Sequence, residues 1–117
     1  MLATFLESVH EGNIIAPRLM AAELRLPMTD LAKLAGVNRN TLSTKAGSAA
    51  VQSGLGMIAR IIAKASELAG DEGRAIIWFR HQPLIGFDGK TAQELVEAGH
   101  ADAVIWHLES LDNGVYA

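Results

Sequence analysis

A single long apolar stripe constrains this fold more than any other feature of the sequence. It consists of Val51, Leu55, Ile58, Ile62 and Ala65, which are separated by alternating steps of four and three residues. This spacing places the side chains on one face of an α-helix, which we predict from about Ala49 to Ala69. Because a helix with such a stripe must bury it against other elements, the sequence predicts packed helices.

Glycine, proline and capping residues divide the rest of the chain into shorter helices. Aromatic residues make up only 5% of the chain, and no strand signal is stronger than short runs such as Ile76-Ile77, so we predict an all-α fold. In the first half we predict a helix over residues 2–9 that ends before Gly12-Asn13, a helix over Pro17–Leu26 that Pro27 stops, a helix that Thr29 or Asp30 caps and Gly36 ends, and a helix over Arg39–Lys45 that Asn38 caps. After the long helix we predict a helix that Asp71 caps and that stops before Pro83, and a helix that begins with a Thr91–Glu94 capping box and ends at Gly99. The last predicted helix is Ala101–Leu111.

Composition excludes several classes of protein. The chain has no cysteine, which excludes a disulfide scaffold, a thiolate metal site and a cysteine nucleophile. No apolar run approaches the roughly 20 residues that a membrane helix needs. Residues 1–11 carry Glu7 and Glu11 but no basic residue, which is unlike a signal peptide. We therefore expect a cytoplasmic protein without membrane contact.

The sequence offers little for catalysis or metal binding. His100 and His107 could share a helix face, but two histidines without a third positioned ligand rarely hold zinc. There is no Ser-His-Asp arrangement, and Gly54 falls within the helical stripe rather than in a phosphate-binding loop. Trp78 and Trp106 are expected in the core rather than in a ligand cage. We expect no enzyme, no metal and no cofactor.

Charge is distributed unevenly along the chain. Residues 1–70 carry seven basic and five acidic side chains, a net charge of +2, whereas residues 71–117 carry three and eight, a net charge of −5. Residues 28–64 alone have a net charge of +4, which suggests an anion-binding face as an alternative to ordinary surface solvation. The predicted organisation is an N-terminal helical extension (1–14), a first domain (15–70) and a second domain (71–117).

The strongest local pattern is typical of a helix-turn-helix. Ala32 is small where two helices would cross, Gly36 suits the turn, and Val37 and Leu42 can anchor the second helix on the first. An ordinary helix corner, with Asn38 acting only as a cap, is the alternative. If those apolar positions point inward, polar side chains suited to bases and phosphates point outward. The predicted DNA-binding residues are Asn38, Arg39, Asn40, Ser43, Thr44 and Lys45.

The second half resembles the toxin-binding domain of the Xre/MbcA/ParS antitoxins. The resemblance lies in Trp78-Phe79, in the run from Pro83 to Leu95, and in Gly99, Val104, Leu108 and Gly114. It covers residues 71–117, and because that family also carries an Xre-like helix-turn-helix upstream, the resemblance extends over most of the chain beyond residues 1–12. It implies a helix-turn-helix bundle joined by the long helix to a small helical toxin-binding domain.

The resemblance also implies a type II antitoxin. Such a protein blocks a RES-domain toxin that acts on NAD and represses its own operon by binding operator DNA, usually as a dimer. The expected toxin-binding residues are Trp78, Lys90, Gly114, Val115, Tyr116 and Ala117. We expect the tail after Asn113-Gly114 to cover the NAD site of the toxin. The final helix ends at Asn113-Gly114, and the residues beyond it form an apolar tip in which Tyr116 is the expected anchor.

Two other functions remain open at the level of sequence. One is a plain helix-turn-helix transcriptional regulator whose C-terminal half only dimerises. The other is an interaction protein that keeps the helix-turn-helix as a scaffold. For a dimer, part of the stripe from Val51 to Ile62 could close a two-fold interface. The competing interpretation is that the chain itself buries the whole stripe.

Overall fold

The predicted helices account for most of the fold. A computed structural model describes residues 5–113, which form eight helices and one two-stranded sheet. The elements are α1 (Phe5–Val9), β1 (His10–Glu11), β2 (Ile14–Ile15), α2 (Pro17–Leu24), α3 (Met28–Ala35), α4 (Arg39–Thr44), α5 (Ala49–Ala69), α6 (Glu72–His81), α7 (Ala92–Glu97) and α8 (Ala101–Asp112). Among these, no helix has the length and apolar character needed to cross a bilayer.

The small sheet is a departure from the all-α prediction. β1 and β2 pair in antiparallel fashion, with His10 opposite Ile15 and Glu11 opposite Ile14. Gly12, which begins the two-residue loop, has a φ of 65°, a conformation that glycine adopts at low cost. Gly12-Asn13 therefore forms the loop of a hairpin, whereas the sequence pattern predicted only the end of a helix there.

The chain divides into two compact units, and the division falls within α5. Unit 1 ends at Ala59 and unit 2 begins at Arg60, so the boundary that the charge pattern suggested near Gly70 lies within unit 2. The expected N-terminal extension belongs to unit 1. There, α1 packs against α2, and both Phe5 and Val9 are buried.

The start of α3 differs from the prediction. α2 ends at Leu24 because Arg25 is left-handed, with a φ of 58°, and Pro27 then takes the extended conformation of an N-cap. Helix α3 therefore begins at Met28, and no side chain caps it. Thr29 and Asp30 lie inside its first turn, where Asp30 interacts favourably with the helix dipole.

The apolar stripe of α5 is wholly buried. Val51, Leu55, Ile58 and Ile62 have no exposed surface, and Ala65 is 4% exposed. The chain itself therefore buries the stripe. The expectation that part of the stripe forms a dimer interface is wrong for these residues.

Helices α6 and α7 of unit 2 begin at the predicted caps, and α8 runs from Ala101 to Asp112, one residue beyond its predicted end. The Asp71 carboxylate accepts a hydrogen bond from the Arg74 N–H at 2.9 Å, and α6 ends at His81, before Pro83. Thr91 and Glu94 form the predicted capping box at the start of α7. At the end of α8, Asp112 binds Lys64 of α5 at 2.8 Å, and this hydrogen bond raises the pKa of the Lys64 ammonium.

Candidate nucleic-acid interface and partner-binding groove

A tight glycine turn joins α3 to α4 in unit 1. Gly36 has a φ of 75°, and its N–H donates to the Lys33 carbonyl at 3.2 Å. The following Val37 N–H donates to the Ala32 carbonyl at 3.0 Å. Together these bonds satisfy carbonyls at the end of α3 and reverse the chain, as a Schellman motif does. The structure thus has a helix–glycine–helix corner at Gly36, a geometry that fits both a helix-turn-helix and an ordinary helix corner.

Helix α4 buries one side chain and exposes most of its polar residues. Leu42 has no exposed surface, so it anchors α4 on the rest of unit 1. Helix α4 ends at Thr44, one residue before the predicted end, and Lys45 follows it as an exposed residue outside the helix. The six predicted DNA-binding residues are all exposed: Asn38, Arg39, Asn40, Ser43, Thr44 and Lys45.

The exposed polar residues differ in their freedom to bind a ligand. The carboxamide oxygen of Asn38 accepts the Thr41 N–H at 2.8 Å, so that atom is already engaged as the helix cap. The Thr44 hydroxyl donates to the Asn40 carbonyl at 2.8 Å. The cap leaves Asn38 only its amide N–H groups for a base. Arg39 and Asn40 are therefore the better candidates for reading base edges, and Ser43 and Lys45 for phosphates.

Electrostatics around α4 favour an anionic ligand. Arg39, Lys45 and Lys33 are exposed, and the chain contains no acidic residue between Asp30 and Glu67. Several exposed cations favour a positive potential on this surface, which attracts a phosphate backbone. One carboxylate lies close in space: Glu11 lines a pocket together with Ser43 and Ala46, and it pairs with Arg18 at 3.8 Å.

Two residues of α5 hold this corner in place, and the sequence pattern alone indicated a role for neither. A Cβ at Gly54 would lie 2.9 Å from the Cα and carbonyl carbon of Ala35, and closer still to its oxygen, so only glycine lets α5 approach α3 this closely. A glycine inside a helical pattern is the signal that could have found it.

Gln52 is the second of these residues. Its side-chain oxygen accepts the Ile15 N–H at 2.9 Å, and its side-chain nitrogen donates at 2.8 Å to the carbonyls of both Ile15 and Ala46. One side chain thereby fixes the hairpin and the loop that follows α4. A polar residue beside an apolar stripe was the available signal, but sequence alone does not say which backbone groups it bonds.

A shallow groove of about 290 Å³ lies in unit 2. Its lining is mostly apolar and consists of Trp78, Gln82, Pro83, Leu84, Ile85, His107 and Leu111. Ile85 is 93% exposed, whereas His107 is buried. The imidazole of His107 meets the Phe87 ring edge-on, with 5.9 Å between the two ring centroids. Burial lowers the pKa of the His107 imidazole, which therefore favours its neutral form.

The structure brings together only part of the predicted toxin-binding set. Trp78 lines the groove, but Lys90 does not, and Lys90 is exposed at the end of the loop that follows Pro83. The backbone of Lys90 bonds to Phe87 and Leu84. The remaining predicted residues, Gly114, Val115, Tyr116 and Ala117, lie outside the described residues.

The expected core positions of the tryptophans need correction. Trp78 is half-buried, but Trp106 is 64% exposed in the middle of α8.

Among residues 5–113, no group of three or more potential ligands is placed to hold a metal ion. His100 is exposed at the start of α8 and His107 is buried within it, so the two histidines differ in surroundings.

No protein-family model, curated protein sequence or solved structure matches the chain.

Proposed function

We propose that unit 1 binds double-stranded DNA, with α4 in the major groove. The observation that carries this proposal is the α3–Gly36–α4 corner, in which Leu42 is fully buried while Arg39, Asn40 and Ser43 are exposed on α4. A major groove about 12 Å wide accepts one α-helix, and a helix-turn-helix presents the start of its second helix to the bases.

Arg39 tests this proposal most directly. If Arg39 makes a bidentate contact to guanine, Arg39→Ala weakens binding to the DNA upstream of the gene by about 1–3 kcal/mol. Arg74→Ala is the matched control, because it removes another exposed arginine, from α6 in unit 2. Affinity is measured by fluorescence anisotropy at several salt concentrations. Equal losses for both variants, or no loss for either, would argue against an interface on α4.

We further propose that the chain is a type II antitoxin and that unit 2 binds a RES-domain toxin. Two points support this: the resemblance of residues 71–117 to the Xre/MbcA/ParS antitoxins, and the open apolar groove that Trp78 lines. Exposed apolar grooves with an aromatic wall are typical of protein-binding sites. In this proposal the groove receives an apolar segment of the toxin.

The test is inhibition of NAD consumption by a RES-domain protein encoded beside this chain. Trp78→Ala should weaken inhibition by about tenfold or more if Trp78 is an anchor of the interface. Ile77→Ala is the control, because Ile77 is 62% exposed on the same helix but does not line the groove. If neither variant changes inhibition, the groove is not the toxin site. If the wild-type chain does not inhibit the toxin at all, the alternative function is a plain transcriptional regulator whose C-terminal half dimerises. Light scattering then shows whether Trp78→Ala dissociates a homodimer into monomers.

A further inference from the structure

Trp106 occupies an unusual place for a tryptophan. It lies in the middle of α8, yet 64% of its surface is exposed, and it does not line the groove of unit 2. An exposed tryptophan loses little conformational entropy on binding and offers a large flat face, so such residues commonly anchor protein interfaces.

Two carboxylates flank Trp106 on the same face of α8. Asp102 precedes it by four residues and Glu109 follows it by three, so each lies about one helical turn from the ring. Both are exposed, and neither has an ion-pair partner among the described residues. Lys64, which attracts Glu109, is itself hydrogen-bonded to Asp112.

We propose that this α8 face, formed by Asp102, Trp106 and Glu109, binds an arginine side chain on the surface of a partner protein. A guanidinium stacks flat on an indole ring while its N–H groups donate to carboxylates above and below it. The charge of unit 2 agrees, because residues 60–117 carry five basic and nine acidic side chains, a net charge of −4. This inference rests on the proposed role of unit 2 in partner binding, and it names the chemistry of that partner.

A second copy of the chain fits this face less well. A two-fold interface places the same surface on both subunits. Two copies joined through Trp106 would set Asp102 and Glu109 of one against the same carboxylates of the other, and like charges in contact repel. A basic partner would instead be attracted to the two carboxylates beside the ring.

The test uses NMR titration of the full chain with a capped pentapeptide that has one arginine between glycines. Three peptides are compared, with arginine, lysine or citrulline at the centre, because citrulline keeps the shape of arginine but lacks its charge. The Trp106 and Trp78 indole N–H signals, distinguished with a Trp78→Phe variant, report on the α8 face and on the groove within one sample. We expect the arginine peptide to shift the Trp106 signal and leave the Trp78 signal unchanged, with citrulline binding at least about fivefold weaker.

Matched variants separate a specific site from general attraction. Asp102→Asn combined with Glu109→Gln should raise the dissociation constant for the arginine peptide at least about fivefold. Glu67→Gln combined with Glu97→Gln removes the same charge from exposed positions elsewhere in unit 2 and should change it by less than about twofold.

Several outcomes would overturn the inference. Equal binding of the arginine and citrulline peptides would do so, as would equal shifts of both indole signals or equal effects of the two double variants. Self-association of the chain that Trp106→Ala abolishes would assign the face to a second copy instead. Because the titration contains no toxin, its failure is distinct from a failure of the chain to inhibit a RES-domain protein.

Discussion

Gly54 and Gly56 allow one substitution to be compared at two positions of the same helix. Glycine in the middle of a helix destabilises it by roughly 0.5–1 kcal/mol relative to alanine. A Cβ at Gly56 meets nothing within 4 Å, so Gly56→Ala should stabilise the protein by about that amount. A Cβ at Gly54 would overlap the backbone of Ala35, which cannot rotate away as a side chain could.

The expected cost at Gly54 follows from this overlap. Forcing one extra carbon into a packed contact costs typically about 1–3 kcal/mol, and the gain in helix propensity offsets about 1 kcal/mol of it. Gly54→Ala should therefore lower the free energy of unfolding by up to about 2 kcal/mol. The two variants should differ by the packing cost itself, about 1–3 kcal/mol, because both gain the same helix propensity.

Urea unfolding followed by circular dichroism measures both values. The sign of the difference matters more than its size, because both variants gain the same helix propensity from the same methyl group. If Gly54→Ala stabilised the protein as much as Gly56→Ala does, the close approach of α5 to Ala35 that the structure shows would be refuted.

Three further changes test other contacts. Asn38→Ala removes the side-chain cap of α4 and should cost about 1 kcal/mol in urea unfolding; no loss would mean that the cap is dispensable. Gln52→Leu leaves the N–H of Ile15 without its partner and should cost about 1–3 kcal/mol, whereas Ser53→Ala, at the next and exposed position of α5, is the control and should change stability little. Because burial lowers the pKa of His107, the unfolded chain binds the proton more readily, so stability should fall as pH drops below about 6.5. His107→Gln should reduce this loss of stability at low pH. An unchanged pH profile would contradict the assignment of the pH dependence to His107.

Local rules predicted the parts of the fold that depend on neighbouring residues. The Asn38 cap, the Gly36 turn and the Thr91–Glu94 capping box are where the sequence places them, because each needs only residues within one helical turn. The hairpin was missed although Gly12-Asn13 is a known loop signal, since strands of two residues are too short to show an alternating pattern.

Tertiary contacts were beyond the sequence rules. Periodicity placed Trp106 on a helix, but whether its face meets a neighbour depends on how α8 packs, and the structure leaves it exposed. The same limit applies to Gln52, whose three backbone bonds join segments far apart in sequence. Residue types alone identified the polar face of α4, but not the neighbours that hold it in position.

Those neighbours matter because α4 is too short to be stable alone. A helix of six residues cannot repay the cost of its own nucleation, so its position must come from the elements around it. DNA affinity should therefore fall in Gly54→Ala, even though Gly54 lies on α5 outside the proposed interface, and Gly56→Ala should leave it unchanged. Arg39→Ala should behave differently, lowering affinity without lowering stability, because Arg39 is exposed. Anisotropy and urea unfolding of these variants distinguish residues that contact DNA from residues that position α4. If Gly54→Ala lost stability but kept full affinity, α4 would not depend on the packing of α5 against α3.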